Sequence, residues 1–147
     1  DTTPPPEVLL SPNEGSNCEL LVQAIVGARG FELPPFRSSD LYEDQLYTAP
    51  IPALSKVQTG DIIGLTKRDK KGFWGIHMGI LVAGQNGEIR IIHNARHQGA
   101  ARIQSLSVAM QYPEHEKPAW IKRPIIPNPG KFDPEGLRNI GLDFLIP

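Results

Sequence analysis

Cysteine is almost absent from the chain, since Cys18 is the only one among 147 residues. A single cysteine excludes an intramolecular disulfide framework and a multi-cysteine metal cluster, which leaves either inert packing or a reactive thiol. Long apolar runs are also absent: Ile76–Ala83 is interrupted by His77 and is far shorter than the ~20 residues that a membrane span needs. The net charge of −1 argues against a protein that coats nucleic acid. With 39% apolar residues, the composition fits one globular domain.

An initiator methionine is missing, because the chain starts at Asp1, and its first residues contain neither the basic nor the apolar region of a signal peptide. This pattern is typical of a shortened chain or of a mature chain after signal removal. The second interpretation predicts an extracytoplasmic protein, periplasmic or secreted.

Proline is scarce in the middle of the chain and divides it into three parts. Four of the 15 prolines lie in residues 1–12 and seven in residues 113–147, so regular structure is expected between them. We predict a proline-rich tail over 1–12, a folded domain over 13–126 and a C-terminal extension over 127–147. Because the extension is rich in apolar side chains, we expect it to dock on the body or on a partner chain. The oligomeric state stays open.

Helical signals come first along the folded region, and strand signals follow. Ser16 and Glu19 have the spacing of a capping box, which predicts a helix over Asn17–Arg29. Residues 31–58 are expected to form a long loop with a short helix near Asp40–Leu46. Five short, β-branched segments then predict strands over Asp61–Leu65, Ile76–Ala83, Glu88–His93, Ala101–Leu106 and Ala119–Pro124. The expected fold class is α+β, with one helix packed on an antiparallel sheet, and a further short helix over Pro134–Ile140.

Cys18 lies in the first turn of the predicted helix. Backbone N–H groups and the helix dipole favour negative charge there, so we expect the pKa of the thiol to be lowered. The alternative is that Cys18 is a small buried apolar residue on the inner face of an amphipathic helix.

Two histidines lie on neighbouring predicted strands and could supply a base for the thiol. His77 is near the start of one strand and His93 ends the next. A connecting loop of three or five residues puts the two side chains on one face of the sheet, whereas a symmetric loop over Gly84–Gly87 puts them on opposite faces. The sequence permits both arrangements.

Four segments carry a resemblance to a known family. In order, they are the helix start Asn17-Cys18-Glu19, the segment Gly60-Asp61-Ile62, the strand Ile76-His77-Met78-Gly79-Ile80 and the strand end Ile92-His93-Asn94. Together they resemble the NlpC family of papain-like cysteine peptidases, over about residues 15–123. The resemblance implies a papain-like α+β fold with Cys18 as nucleophile, His77 as general base and acid, and His93 as the residue that orients His77.

The resemblance also implies a thiol protease (cysteine hydrolase) that cleaves amide bonds in peptidoglycan, in the stem peptides of the cell wall, or in a related peptide. Around the nucleophile the family has an acidic residue and a serine where this chain has Asn17 and Glu19, so we expect these two residues to shape the substrate pocket. Arg96, in a basic segment over residues 67–102, suits a substrate carboxylate, and Trp74 is a further expected substrate contact. Solvated surface positions are the alternative for the basic residues.

Other functions stay open at this point. The same fold can serve as a non-catalytic binding or scaffold domain with a silent Cys18, or as an acyl transferase or thioesterase with the same three residues. A zinc site built from Cys18, His77 and His93 is chemically compatible but consumes the nucleophile. The papain-like mechanism needs no cofactor and no metal, and no motif for nucleic-acid binding is present.

Overall fold

A computed structural model describes residues 18–33, 38–68, 74–95, 100–111 and 117–147 of the chain. Helix α1 spans Cys18–Ala28, α2 Ser38–Glu43, α3 Leu106–Ala109 and α4 Pro134–Asn139. The strands are β1 Thr48–Pro50, β2 Ile62–Arg68, β3 Trp74–Ala83, β4 Ile89–Ala95, β5 Ala100–Ser105 and β6 Lys117–Pro124. None of the helices in these described ranges is long and apolar enough to cross a bilayer.

The six strands form one sheet in the order β1-β6-β2-β3-β4-β5, and every neighbouring pair is antiparallel. Sequence neighbours from β2 to β5 lie side by side because short connections favour hairpins. Strand β6 returns to pair with β2, with an irregularity in the register between Gly64 and Leu65. The predicted α+β class, with a helix on an antiparallel sheet, is confirmed.

Apolar side chains alternate along the strands and form one cluster on each face of the sheet. Helix α1 packs on the larger cluster through Val22 and Ile25, against Met78, Ile80 and Ile92. The smaller cluster, on the opposite face, contains Ile63, Leu65, Leu81, Ile91, Leu106, Ala109 and Ile121. Alternation therefore assigns even-numbered residues of β3 to the α1 face and odd-numbered residues, including His77, to the other face.

Several apolar side chains of residues 127–147 belong to the larger cluster. Leu137, Leu142 and Leu145 are fully or almost fully buried and pack with α1. The guanidinium Nε of Arg29, just after α1, donates a 2.8 Å hydrogen bond to the carbonyl of Leu145. Asp133 N–H likewise bonds to the carbonyl of Ala28 at 2.9 Å. The segment is thus fixed to the C-terminal end of α1.

Strand β1, a 3₁₀ turn and helix α3 were not predicted. The expected long loop over 31–58 contains β1, which pairs with β6, and a 3₁₀ turn over Leu54–Lys56. Strand β1 was missed because it contains a proline, which has no N–H for the hydrogen bonds between strands. Pro50 is the last residue of β1, where one missing donor is tolerated. Helix α3, only four residues long, follows β5 directly, where the sequence continued a strand pattern.

Candidate active site

The β3–β4 hairpin decides how the two histidines are placed. Its last pair is Ala83 and Ile89, so the connecting loop has five residues, with Asn86 and Gly87 at positive φ. An odd number of loop residues puts His77 and His93 on the same face, one of the two arrangements that the sequence permitted. They do not face each other directly, because His93 pairs in register with Gly79. They are diagonal neighbours, within reach of long or aromatic side chains.

The two imidazoles are hydrogen-bonded. His77 Nε2 and His93 Nδ1 lie 2.8 Å apart, and the rings meet edge to face with centroids 5.0 Å apart. His93 is fully buried, and its second nitrogen, Nε2, lies 2.7 Å from Oε1 of Gln104 on β5. Gln104 was missed at the sequence level. The available signal was its position in the predicted strand Ala101–Leu106, where it is a polar residue two positions from Arg102 on the same face.

The pairing of β3 with β4 ends at the level of the histidines. Gly79 and His93 form the last pair, although β3 extends back to Trp74 and β4 on to Ala95. Leu81 N–H bonds to Asp61 across the β2 side, and N–H groups alternate sides along a strand, so Met78 N–H points toward β4. Within the described residues no strand pair joins Met78 to β4.

The thiol of Cys18 accepts a hydrogen bond from this N–H group. The backbone N–H of Met78 donates to the thiol of Cys18, as do the N–H groups of Cys18 and Glu19 at the start of α1. The thiol therefore approaches β3 from the α1 face at the residue next to His77. By strand alternation His77 and His93 belong to the face opposite α1, so the thiol reaches β3 at the residue next to His77 but from the other side of the sheet.

The expected lowering of the Cys18 pKa is wrong for the resting thiol. Burial raises the pKa of Cys18, and the negative charge of Glu19 raises it further. The three backbone hydrogen bonds lower it, as the helix-start argument requires, but they do not outweigh burial. The sequence predicted the N–H groups at the start of the helix. It did not predict the burial of the Cys18 side chain, which packs against the larger core cluster.

The remaining expected substrate contacts are placed only in part. Asn17 and Arg96 lie outside the described residues, and so does the side chain of Trp74, whose backbone belongs to β3. Glu19 is half-buried beside Cys18, where its charge acts on the thiol. Arg102 lies opposite His93 in the β4–β5 register, and its Nε is buried without a hydrogen-bond partner.

Asp61 of the Gly-Asp motif has a structural role at the far end of β2. Its buried carboxylate accepts hydrogen bonds from Nε and Nη2 of Arg123 at 2.8 and 2.9 Å, and from Gln58 N–H at 2.8 Å. Gly60 has φ +100°, and a Cβ there would collide with the guanidinium of Arg29. The motif thus joins β2, β6 and the end of α1.

A separate cavity of about 630 Å³ lies at the β1 edge of the sheet. Tyr42, Thr48, Trp120, Lys122 and Ile125 contribute to its walls, and neither Cys18 nor the two histidines do. Lys122, almost fully buried, uses Nζ to bond the backbone carbonyl of Asp44 at 2.5 Å. This cavity is therefore distinct from the place where Cys18 meets β3.

Among the described residues, no group of three His, Cys, Asp or Glu side chains is arranged to hold a metal ion. His77, His93 and Gln104 form a hydrogen-bonded chain, and Cys18 meets the same strand at Met78, the residue next to His77. Comparison with known proteins adds no relative: no protein-family model, no curated protein and no solved structure matches this chain.

Proposed function

We propose that this chain is a cysteine-dependent hydrolase of papain-like architecture that cleaves an amide bond in peptidoglycan stem peptides or a related peptide. One observation carries the proposal: the Cys18 thiol is bonded to the N–H of Met78, the residue after His77, whose ring is hydrogen-bonded to His93. Acyl transfer needs a nucleophile, a base and a residue that orients the base, and we assign these roles to Cys18, His77 and His93. A peptidoglycan substrate places the protein outside the cytoplasm.

In the first half of the reaction, His77 takes the thiol proton and the Cys18 thiolate attacks the substrate carbonyl. The backbone N–H of Cys18, at the start of α1, is a donor for the oxyanion that forms. As the C–N bond breaks, protonated His77 gives its proton to the leaving amine, and a thioester on Cys18 remains. Water, deprotonated by His77, then attacks the thioester, which releases the carboxylic acid and returns the proton to the thiol.

Because the pKa of Cys18 is raised, the proposed mechanism requires His77 to accept the thiol proton. A thiol whose ionisation is opposed by burial carries little thiolate at neutral pH unless a neighbouring imidazole accepts its proton. The resulting thiolate–imidazolium pair is favoured because the two charges form together, within a partly desolvated site. The reactivity of Cys18 should therefore depend on His77 more strongly than that of an exposed thiol would.

Alkylation with iodoacetamide tests the nucleophile directly. Because Cys18 is the only cysteine, every labelled molecule reports this one thiol. We expect labelling of the parent at neutral pH, with a rate that rises as His77 becomes able to accept a proton. In His77→Ala the rate at pH 7 should fall at least ~10-fold, and the remaining titration should lie above the usual ~8.5 of a free thiol. His115→Ala, a histidine that the proposal does not use, is the matched control.

Slow labelling of the parent that His77→Ala does not change would refute the proposal and favour the binding or scaffold domain. For a reactive thiol, product analysis on purified peptidoglycan separates the remaining options. New free amino groups and carboxylates in equal number indicate hydrolysis. A new amide with an added amine acceptor indicates acyl transfer by the same residues, and Cys18→Ser should abolish either product.

A further inference from the structure

Gln104 fixes the direction of the hydrogen bonds between the histidines. An amide oxygen can only accept, so Oε1 of Gln104 requires that His93 carry its proton on Nε2, 2.7 Å away. A neutral imidazole has one N–H, so His93 Nδ1 must then be an acceptor. His77 Nε2, 2.8 Å from that atom, must be the donor. The lone pair of His77 is thereby left on Nδ1.

The environment of His93 favours the uncharged form of its ring. It is fully buried, and desolvation disfavours an imidazolium. Arg102 pairs with His93 in the β4–β5 register, and His77 is the titratable residue that is hydrogen-bonded to His93 from β3. Helix α3, which packs on β4 and β5, has no titratable side chain, and α1 contributes only Cys18 and Glu19 near this end of β3. Gln104, the residue 2.7 Å from His93 Nε2, is an uncharged amide.

We infer that Gln104 is a positioning residue that acts through His93 to hold His77 in the Nε2–H tautomer, with Nδ1 as the proton acceptor. The catalytic consequence rests on the proposed function, because it assumes that His77 Nδ1 takes the proton of Cys18. The tautomer itself does not depend on catalysis. The proposal can therefore be examined in the resting protein without a substrate.

Two substitutions test the hydrogen-bond acceptor of Gln104 separately from the size of its side chain. Gln104→Met keeps the length of the side chain and removes the acceptor, so His93 no longer has a preferred proton position. Gln104→Glu keeps the shape and adds a negative charge, which stabilises doubly protonated His93. His93 Nδ1–H then donates to His77 Nε2, and the His77 proton moves to Nδ1, where it blocks the base.

The experiment is ¹⁵N NMR of the ring nitrogens, recorded on the full chain as parent, Gln104→Met and Gln104→Glu. Protonated and unprotonated imidazole nitrogens are well separated in chemical shift. The parent should show Nε2–H and bare Nδ1 for both His77 and His93. Gln104→Met should lose this single pattern, and in Gln104→Glu His93 should stay doubly protonated to higher pH. Ser105→Ala, a neighbouring change on β5, should leave the pattern unaltered.

A parent spectrum with the proton on Nδ1 of His77 would overturn the inference, and so would unchanged tautomers in both Gln104 variants. The backbone amide spectrum of each variant shows whether it is folded, and a variant that unfolds leaves the parent spectrum as the decisive measurement. Iodoacetamide labelling supplies the functional half: Gln104→Met should slow it by about 10- to 100-fold. A correct tautomer pattern with an unreactive Cys18 would refute the proposed hydrolase and leave the positioning role standing.

Discussion

Replacing Asp61 with alanine tests whether the Gly-Asp motif stabilises the fold or takes part in the chemistry. The carboxylate of Asp61 is 2% exposed and accepts two hydrogen bonds from Arg123 and one from Gln58 N–H. It also balances the charge of Arg29, whose guanidinium pKa is lowered by burial and raised by Asp61. Removing the carboxylate takes the acceptor from Arg123 Nε and Gln58 N–H, while Arg123 Nη2 keeps only the carbonyl of Lys56, at 3.1 Å.

The magnitude follows from the exposure of the partners. Losing one member of a buried ion pair costs about 3–5 kcal/mol. Arg123 is 30% exposed, so part of its guanidinium can be rehydrated, and the expected loss for Asp61→Ala is about 2–4 kcal/mol. For a domain of this size, this corresponds to a decrease in Tm of roughly 5–15 °C. Arg123→Ala should cost more than Asp61→Ala, because it leaves the buried charge rather than the exposed one unpaired.

Urea and thermal unfolding measure the effect, and an exposed ion pair is the control. Glu135 and Arg138 form a salt bridge with 73% and 51% of their side chains exposed, so Glu135→Ala should cost about 0–0.5 kcal/mol. Iodoacetamide labelling of Cys18 in folded Asp61→Ala should match the parent. A loss of stability no larger than that of Glu135→Ala, or a loss of Cys18 reactivity without a loss of stability, would refute the structural role.

Three further outcomes are expected. Leu137→Ala should lower the free energy of unfolding, measured in urea, by about 2–5 kcal/mol, because Leu137 is fully buried against α1. The control Leu46→Ala, at a side chain that is 75% exposed, should change it by no more than about 0.5 kcal/mol. Equal effects would contradict the docking of residues 127–147. Gly60→Ala should destabilise more than Gly87→Ala in thermal melts, since both have positive φ but only at Gly60 would a Cβ meet Arg29; the reverse order would contradict that contact. Burial raises the pKa of Asp44, but hydrogen bonds from the Thr48 hydroxyl and from the N–H groups of Leu46, Tyr47 and Thr48 lower it overall. The contribution of Asp44 to stability is therefore complete above about pH 5 and lost as pH falls below about 4. Asp44→Asn should therefore show a shallower loss of stability than the parent as pH falls below about 4, and an identical slope there would exclude this source.

Local signals predicted most of the fold. Helix α1 and five of the six strands were anticipated within a few residues, because α1 has a clear helical period and β2 to β6 are rich in β-branched residues. Strand β1 was missed because three residues are too few to show an alternating pattern, and because Pro50 and Pro52 favour a loop. Pairing with β6, distant in sequence, makes β1 a strand.

The residues of the candidate site could be proposed from the sequence, but their geometry could not. The motif around Cys18, His77 and His93 named the three side chains, but the five-residue loop after Ala83 decided that the histidines share a face. The contribution of Gln104 depends on the register between β4 and β5, which pairs Gln104 with Ile91 and so sets it diagonal to His93. The pKa of Cys18 depends on burial by distant segments, so a helix-start argument on its own predicted the wrong direction.

The attachment of residues 127–147 to α1 bears on when the site can form during synthesis. The bond from Arg29 to Leu145 joins positions 116 residues apart, and Leu137 and Leu142 complete the core beneath the helix that begins with Cys18. Contacts of such large sequence separation form late, because closing the long loop has to precede them. Helix α1 is synthesised more than a hundred residues before Leu145 and gains its final support only after residue 145 has emerged. A nascent chain in which residues 137–145 are still inside the ribosome should therefore carry Cys18 on an unsupported helix, and the proposed site should form only once that segment has emerged.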